Sequence, residues 1–345
     1  MLFTNRVAIP VLSIIIPVWN TAENTLKRAL TPFFENADSR IELVLVDDGS
    51  KKTTADYLDI LQSSFDFKLV HQANRGQNAA RQKGIEVAEG TYVGFLDSDD
   101  CLDWKSLQRV VSVIEKSKSD VITFNGKYVD KNGKEIGNIR YFENNSENRK
   151  EYVRTCAELW LQFFRKDFLI RQGGLFTPEG TCIGEDLASV LPLVIKAEKI
   201  EQVDFPVYRY YQQESGSVMH SSSCMTRMTI LDAFNHIMNA LSESECLKFH
   251  DEIEWQAINH LLNYETRAQL RYGFLGLSNV HTLYAWVNKH FPNWNRNQYI
   301  SIEEKRQGFP LRLALHRHYY IIMLYQCVFR NFLNYINKLK EGWAR

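Results

Sequence analysis

Residues 11–20 read V-L-S-I-I-I-P-V-W-N, and residues 41–50 read I-E-L-V-L-V-D-D-G-S. Each is a mostly apolar, β-branched run, interrupted only by Ser13 and Glu42, that ends in polar or turn-forming residues. A strand buried on both faces has this form, because neither side of it meets water. Pro17 belongs at the end of the first run, since proline cannot donate to a ladder. Between the runs, 21–36 has helical spacing. Outward from there the alternation continues: helix 53–63, strand 67–71, helix 77–88 closed by Gly90 as its C-cap, and strand 91–96 (T-Y-V-G-F-L). A helix over 104–118 and a strand over 121–124 follow. Strands alternating with helices make βαβ units and a mostly parallel sheet, so the fold class is α/β. Right-handed crossovers put the C-terminal ends of those strands on one edge. Asn20, Asp48 and Asp97 all follow such ends and should meet in the crevice where open α/β sheets bind ligands.

Beyond residue 125 the rhythm changes. A hairpin or loop is expected over 128–141 around K-N-G-K, helices over 151–164 and 185–199, and short strands near 202–204 and 207–211. From residue 225 onward only helical periodicity is visible.

The 345 residues include 45% hydrophobic side chains, enough for a large core, and 41 basic residues balance 41 acidic ones. The balance points to no nucleic-acid partner. Residues 305–345 carry eight basic side chains against Glu341, and this basic tail suits an anionic neighbour, either a membrane surface or a partner protein. Leu311, Leu315, Tyr319, Ile322, Phe329, Leu333 and Ile336 recur at spacings near three and four, as one apolar stripe on a helix would. That stripe could lie in a membrane interface or pack on the rest of the chain. Six scattered cysteines without a C-x-x-C pair argue against a zinc site or a disulfide framework. No secretory signal and no 18-residue apolar span is visible, so the expectation is a cytoplasmic protein, at most peripheral to the inner face of the cell membrane.

Chemistry is concentrated in a few places. Asp97-Ser98-Asp99-Asp100 sets three carboxylates within four residues after a buried strand. Such a cluster either holds a hard divalent cation or forms a solvated turn that caps the next helix. Asp47-Asp48-Gly49-Ser50 offers a carboxylate to a base or ribose, or makes an Asx turn. N-R-G-Q-N-A-A-R (74–81) opens a helix whose free N–H groups and Arg81 could meet an anion. Gly184-Glu185-Asp186 starts a helix with two carboxylates, either dipole caps or a general base. His220 is either a further ligand or an ordinary packed histidine.

In this order and spacing, S-I-I-I-P-V-W-N, V-D-D-G-S, N-R-G-Q-N-A-A-R, F-L-D-S-D-D and G-E-D resemble the inverting glycosyltransferases of family 2, over about residues 11–220. The resemblance implies a GT-A fold over 1–220, with a nucleotide-sugar half at 1–125 and an acceptor half at 126–220, followed by a helical region at 221–345. It implies a nucleotide-diphosphate sugar donor, usually a UDP-sugar, with Mn²⁺ or Mg²⁺. The acceptor would be a glycan or lipid-linked saccharide, in a role such as bacterial surface polysaccharide synthesis, and the sugar a hexose or N-acetylhexosamine. Residue by residue, Pro17 would line the nucleotide, Asp48 would bind the base and Arg81 would lie near the nucleotide. Asp97 and Asp99 form the D-x-D pattern with Asp99 on the metal, Asp100 would support ribose or metal, and Asp186 would be the catalytic base. This chain has Gln82 where the family often has Asn, and Trp19 where it usually has Tyr.

Three other readings bear on the same residues. An NAD-dependent oxidoreductase needs G-x-G-x-x-G after the first strand, where this chain has Pro17-Val18-Trp19-Asn20. A nucleotidyltransferase would show a basic Gly-rich loop there. A catalytically inactive nucleotide-sugar-binding protein would share the fold, and a donor-hydrolysis assay separates it from an enzyme.

Overall fold

The structure is a computed structural model that describes residues 9–139, 149–179, 183–212 and 223–326. His220 lies outside the described residues. The chain divides into two compact units, one made of 1–149 with 156–221 and the other of 150–155 with 222–345.

The first unit is built on one nine-stranded sheet. Its elements run β1 (Leu12–Val18), α1 (Glu23–Glu35), β2 (Ile41–Asp48), α2 (Lys52–Ser64), β3 (Lys68–Gln72), α3 (Gln77–Val87), β4 (Tyr92–Phe95), β5 (Cys101–Leu102), α4 (Trp104–Ile114), β6 (Val121–Val129), β7 (Glu135–Ile139), β8 (Gln162–Arg165), α6 (Lys166–Arg171), α7 (Glu185–Lys196) and β9 (Ile200–Tyr211), while α5 (Arg149–Thr155), between β7 and β8 in the chain, falls with the second unit from Lys150 on. Strand order is β3-β2-β1-β4-β8-β6-β9-β5, with β7 hydrogen-bonded to β6. β3, β2, β1 and β4 are mutually parallel. β1 is buried along its whole length, as its apolar residues require, and its one polar side chain, Ser13, is hydrogen-bonded to Glu42 and the Gly90 N–H. β8 runs antiparallel to both β4 and β6, and β9 runs parallel to β6. β6 and β9 therefore point the same way as β1 and β4, and all of these strands end on the same edge. The chain order reverses between β1 and β4, which opens the crevice at their C-terminal ends.

Three expectations are corrected. The stretch 151–164 is not one helix: α5 ends at Thr155, a 3₁₀ turn covers Leu159–Leu161, and β8 starts at Gln162. Phe163 and Phe164 face opposite sides of the sheet and are the only apolar residues between Gln162 and Arg165, too short a run to show a period of two. Second, Ala88 and not Gly90 caps α3. Gly90 is small for another reason. A Cβ there would sit 2.5 Å from the Ser13 Oγ, and the Gly90 N–H donates to that oxygen at 2.8 Å. Third, the two short strands near 202–211 are one strand, β9, with an irregularity in its pairing to β6 between Gln202 and Tyr208.

The second unit is helical, with Ile230–Ala240, His250–Ala257, Phe274–His290, Ile300–Gln307 and Phe309–Leu315 as its longer α-helical segments. The expected single stripe in the tail is broken. The helix Phe309–Leu315 ends at Leu315 and Arg317 takes a left-handed backbone (φ 59°) before the chain turns helical again at 319. Leu311, Leu315 and Ile322 are buried, and Tyr284 Oη donates to the Ala314 carbonyl at 2.6 Å. These members of the stripe are used inside the protein, while Phe329, Leu333 and Ile336 lie outside the described residues. Among the described residues no helix is long and apolar enough to cross a membrane.

Candidate active site

The loops that leave β1, β2, β3 and β4 are tied to one another by side chains. Asn20, with φ 52°, receives the Lys51 N–H on Oδ1 at 2.8 Å and donates its own N–H to Ser50 Oγ at 2.9 Å. Thr21 and Ser98 share a hydroxyl–hydroxyl bond of 2.6 Å. Gly49 (φ 71°) lets the turn after β2 pass so close to Asn74 that a Cβ would lie 2.6 Å from its nitrogen. Pro17 is buried in β1 beside Val46, and the exposed Trp19 follows it at the mouth of the crevice.

Asp48 is 2% exposed. Its Oδ1 accepts from Gln72 Nε2 (2.8 Å) and the Arg75 N–H (2.9 Å), and its Oδ2 from the Gly76 N–H (2.9 Å). This carboxylate shapes the 73–76 loop at the start of α3, and a nucleobase could reach only the acceptor position left on Oδ2. Its neighbour Asp47 accepts from the Ser50 N–H at 3.0 Å and meets His71 Nδ1 at 2.7 Å. Burial lowers and the two carboxylates Asp47 and Asp59 raise the His71 pKa, with a net upward shift.

Arg81 is the centre of the site. On α3 it is fully buried, donating from Nη2 to Asp97 Oδ1 at 2.6 Å and from Nη1 to Asp186 Oδ1 at 2.7 Å and Asn78 Oδ1 at 2.8 Å. The sequence suggested an anion partner for Arg81. The structure gives it two anions of the protein itself, so its guanidinium does not face the open crevice. Asn78 in turn donates to the carbonyls of Phe176 (3.0 Å) and Glu185 (3.4 Å), which sets the start of α7 against α3. Asp97 and Asp186, 89 positions apart in the chain, thus flank one guanidinium. They leave 20% and 29% of their side-chain surfaces accessible.

The three aspartates after β4 take different directions. Asp97 faces Arg81 and also accepts from Gln77 Nε2 at 2.8 Å. Asp100 is 1% exposed and turns inward, where Oδ2 accepts from Tyr208 Oη at 2.7 Å and Oδ1 from the Tyr211 N–H at 2.7 Å. With both oxygens on β9, Asp100 can affect a bound group only through its neighbours. Asp99 stays at the surface of the cluster, and its backbone carbonyl accepts from Arg28 Nη2. Arg28 stacks on the Tyr211 ring at 3.8 Å.

The charges are strained against one another. Burial, then the charge of Asp97, raises the Asp99 pKa. Burial also raises Asp186, against the pull of Arg81 and with the push of Asp97. Glu185 is pushed up to about 7 by burial and by Asp186. Carboxylates held charged in such proximity are a setting that a dication relieves, and their hard oxygens are the donor type that Mg²⁺ and Mn²⁺ prefer. The pair Asp97 and Asp99 therefore fits a divalent cation. A second grouping, His250, Asp251 and Glu254, brings three ligand-type atoms within 4.8 Å of one another in the helical unit.

Arg28, Gln77 and Tyr208 contribute to this site without having been singled out for it in the sequence. Arg28 carries no local signal, because surface helices are full of such residues, and Gln77 stood in the N-R-G-Q-N-A-A-R stretch without a role of its own. Tyr208 stood in a Tyr-Arg-Tyr-Tyr run, but its bond to Asp100 depends on the pairing of β9 with β5.

Comparison with known proteins agrees with this architecture. The crystal structure of S. aureus TarS 1-349 superposes with a TM-score of 0.66, covering 93% of this chain and 91% of that one at 16% identity, so the two share the GT-A fold with its helical C-terminal region. Uncharacterized glycosyltransferase EpsJ of Bacillus subtilis is 28% identical over 213 residues, 59% of this chain and 61% of EpsJ. Cholesterol galactosyltransferase of Borreliella burgdorferi is 26% identical over 275 residues, 71% of this chain and 75% of that protein. The chain thus spans less than two thirds of the length of EpsJ. The family model described as Glycosyl transferase family 2 matches residues 13–183, which hold Pro17, Asp48, Arg81 and the 97–100 cluster and stop three positions before Asp186. By that match the chain belongs to glycosyl transferase family 2.

Proposed function

We propose that this protein is an inverting glycosyltransferase that moves a hexosyl or N-acetylhexosaminyl group from a UDP-sugar to a hydroxyl of a glycan or lipid-linked acceptor, as in the building of a bacterial surface polysaccharide. The observation that carries the reading is the Arg81 bridge, which holds the D-x-D aspartate Asp97 and the carboxylate Asp186 on either side of one buried cation. A leaving-group site and a base must be adjacent for a single displacement, and these two are. Solved structures of TarS in complex with UDP-GlcNAc and with UDP, each at a TM-score of 0.56, add support for a uridine-diphosphate donor.

In this reading the loop that Asp48 organises receives the base, next to the backbone after Pro17. Asp99, with Asp97 beside it, would hold Mn²⁺ or Mg²⁺, which when bound neutralises charge on a diphosphate leaving group. Asp186 takes the proton of the acceptor hydroxyl as its oxygen bonds to the anomeric carbon. The bond to the diphosphate breaks on the opposite face, so configuration inverts. The raised pKa of Asp186 makes it a stronger base than an ordinary aspartate. Arg81 keeps that carboxylate aimed and offsets its charge.

The test is a panel of nucleotide sugars incubated with the protein and Mn²⁺, reading nucleoside diphosphate release with and without EDTA. UDP release from at least one UDP-sugar, abolished by EDTA and by Asp99→Ala, is expected. Faster turnover of GDP-sugars, or full activity of Asp99→Ala in EDTA, would contradict the donor and metal assignments respectively.

A further inference from the structure

Four aromatic rings continue from the acidic cluster along the same edge of the sheet. Tyr208 is fully buried and donates to Asp100. Trp160 stacks on Tyr208 with ring centres 4.3 Å apart, and on Tyr210 at 5.7 Å. Tyr210 meets Tyr128 edge to face at 5.8 Å. Tyr128 and Tyr210 are register partners on the parallel pair β6 and β9, so both rings stand on one face. Exposure rises along the series: Tyr208 is at 0% and Trp160 at 8%, whereas Tyr128 and Tyr210 are only partly buried.

Position gives these rings meaning. The C-terminal ends of β6 and β9 lie on the edge that carries the crevice. In the strand order β3-β2-β1-β4-β8-β6-β9, Asp48 is two strands to one side of β4, and Tyr128 and Tyr210 are two and three strands to the other. Asp97–Asp100 follow β4, between the two. Tyr210 is near enough to that cluster for Asp100, Asp99 and Asp97 each to raise its hydroxyl pKa, after the larger effect of burial. A nucleotide at Asp48 and a second substrate at Tyr210 would lie on opposite sides of β4.

We propose that the Tyr210 ring, backed by Trp160 and flanked by the perpendicular ring of Tyr128, forms the platform on which a pyranose ring of the acceptor stacks. The inference rests on the glycosyltransferase reading and names a subsite for it. A pyranose with equatorial hydroxyls presents axial C–H groups on its flat faces. The electron-rich face of an aromatic ring attracts those hydrogens, and its flat apolar area is buried at little conformational cost. The carboxylates beside Tyr210 then lie at the rim, where the hydroxyl to be glycosylated has to be.

The experiment uses the full chain with Mn²⁺ and UDP, and cellobiose as the probe, since both of its rings carry equatorial hydroxyls. Saturation-transfer NMR reports which sugar protons touch the protein, and a titration gives the affinity. Axial ring protons of cellobiose should be saturated in the wild type. Tyr210→Ala and Tyr128→Ala should each weaken binding about three- to tenfold, while Tyr210→Phe should keep it within twofold, because the ring and not the hydroxyl makes the contact. Calorimetric affinity for UDP should be unchanged in every variant, which also reports folding. No saturation in the wild type, undiminished binding in Tyr210→Ala, or loss of binding in Tyr210→Phe overturns the platform. Wild-type protein that binds cellobiose through these rings but fails to bind UDP overturns the donor reading and leaves the platform standing.

Discussion

Arg81 is the residue on which the site turns. A buried guanidinium between two carboxylates is stabilising only while both partners remain, since removal of one member of a buried ion pair leaves a charge without compensation. Arg81→Met should destabilise the protein by about 3 kcal/mol, measured by urea unfolding, and a change under about 1 kcal/mol would contradict the bridge. Glu185 gives a pH signature at the same place. Its pKa is about 7 in the folded chain against an ordinary 4.5, so between those values the folded state holds more protons than the unfolded one. Stability is then highest below about pH 4.5 as far as this group is concerned, and is lost as pH rises through 7. Glu185→Gln should unfold at the same urea concentration as wild type at low pH, and be more stable by about 1–3 kcal/mol at pH 8 in EDTA. Equal stabilities at pH 8 would refute the shift.

At the scale of elements, the crevice depends on strands that are distant in sequence being held at one edge. Asp100 does this for β9 by taking the Tyr208 hydroxyl and the Tyr211 N–H. Tyr208→Phe leaves a buried carboxylate oxygen without its donor, which should cost about 1–3 kcal/mol in urea unfolding. A neutral substitution there would mean that β9 is positioned by packing alone. The same elements separate what was legible in the sequence from what was not. β1 to β4 and the helices between them stand out because buried parallel strands are continuous apolar runs and turn residues end them. β8 was hidden because Q-F-F-R, four residues preceded by a 3₁₀ turn, is too short to show the period of a strand. The acidic cluster and Asp186 were visible as residue types, and the family resemblance gave them roles. Their bridging by Arg81 was not visible, since only the packing of α3 against the start of α7 brings 81, 97 and 186 together. The tail stripe failed at His316–His318, where one left-handed residue divides a periodicity that continues in the sequence.

On the scale of the whole molecule, the first unit carries every group that the proposed displacement needs. The proposed nucleotide side lies on β1–β3, the carboxylates follow β4 and start α7, and the aromatic side lies on β6 and β9. The helical unit contributes none of these groups, and its buried ion pairs, such as Arg227 Nε with Glu265 Oε2 at 2.9 Å and Arg154 with Glu303 at 2.5 Å, serve its own interior. In the proposed reaction, binding and proton removal are separate jobs, done by different residues of one crevice. The most direct test compares wild type with Asp186→Asn, measuring UDP affinity by calorimetry and sugar transfer by UDP release in the same buffer with Mn²⁺. Unchanged UDP affinity is expected, with a loss of turnover of at least about a hundredfold, the lower end for lost general-base catalysis. Turnover within tenfold of wild type, or UDP affinity that collapses together with turnover, would contradict it.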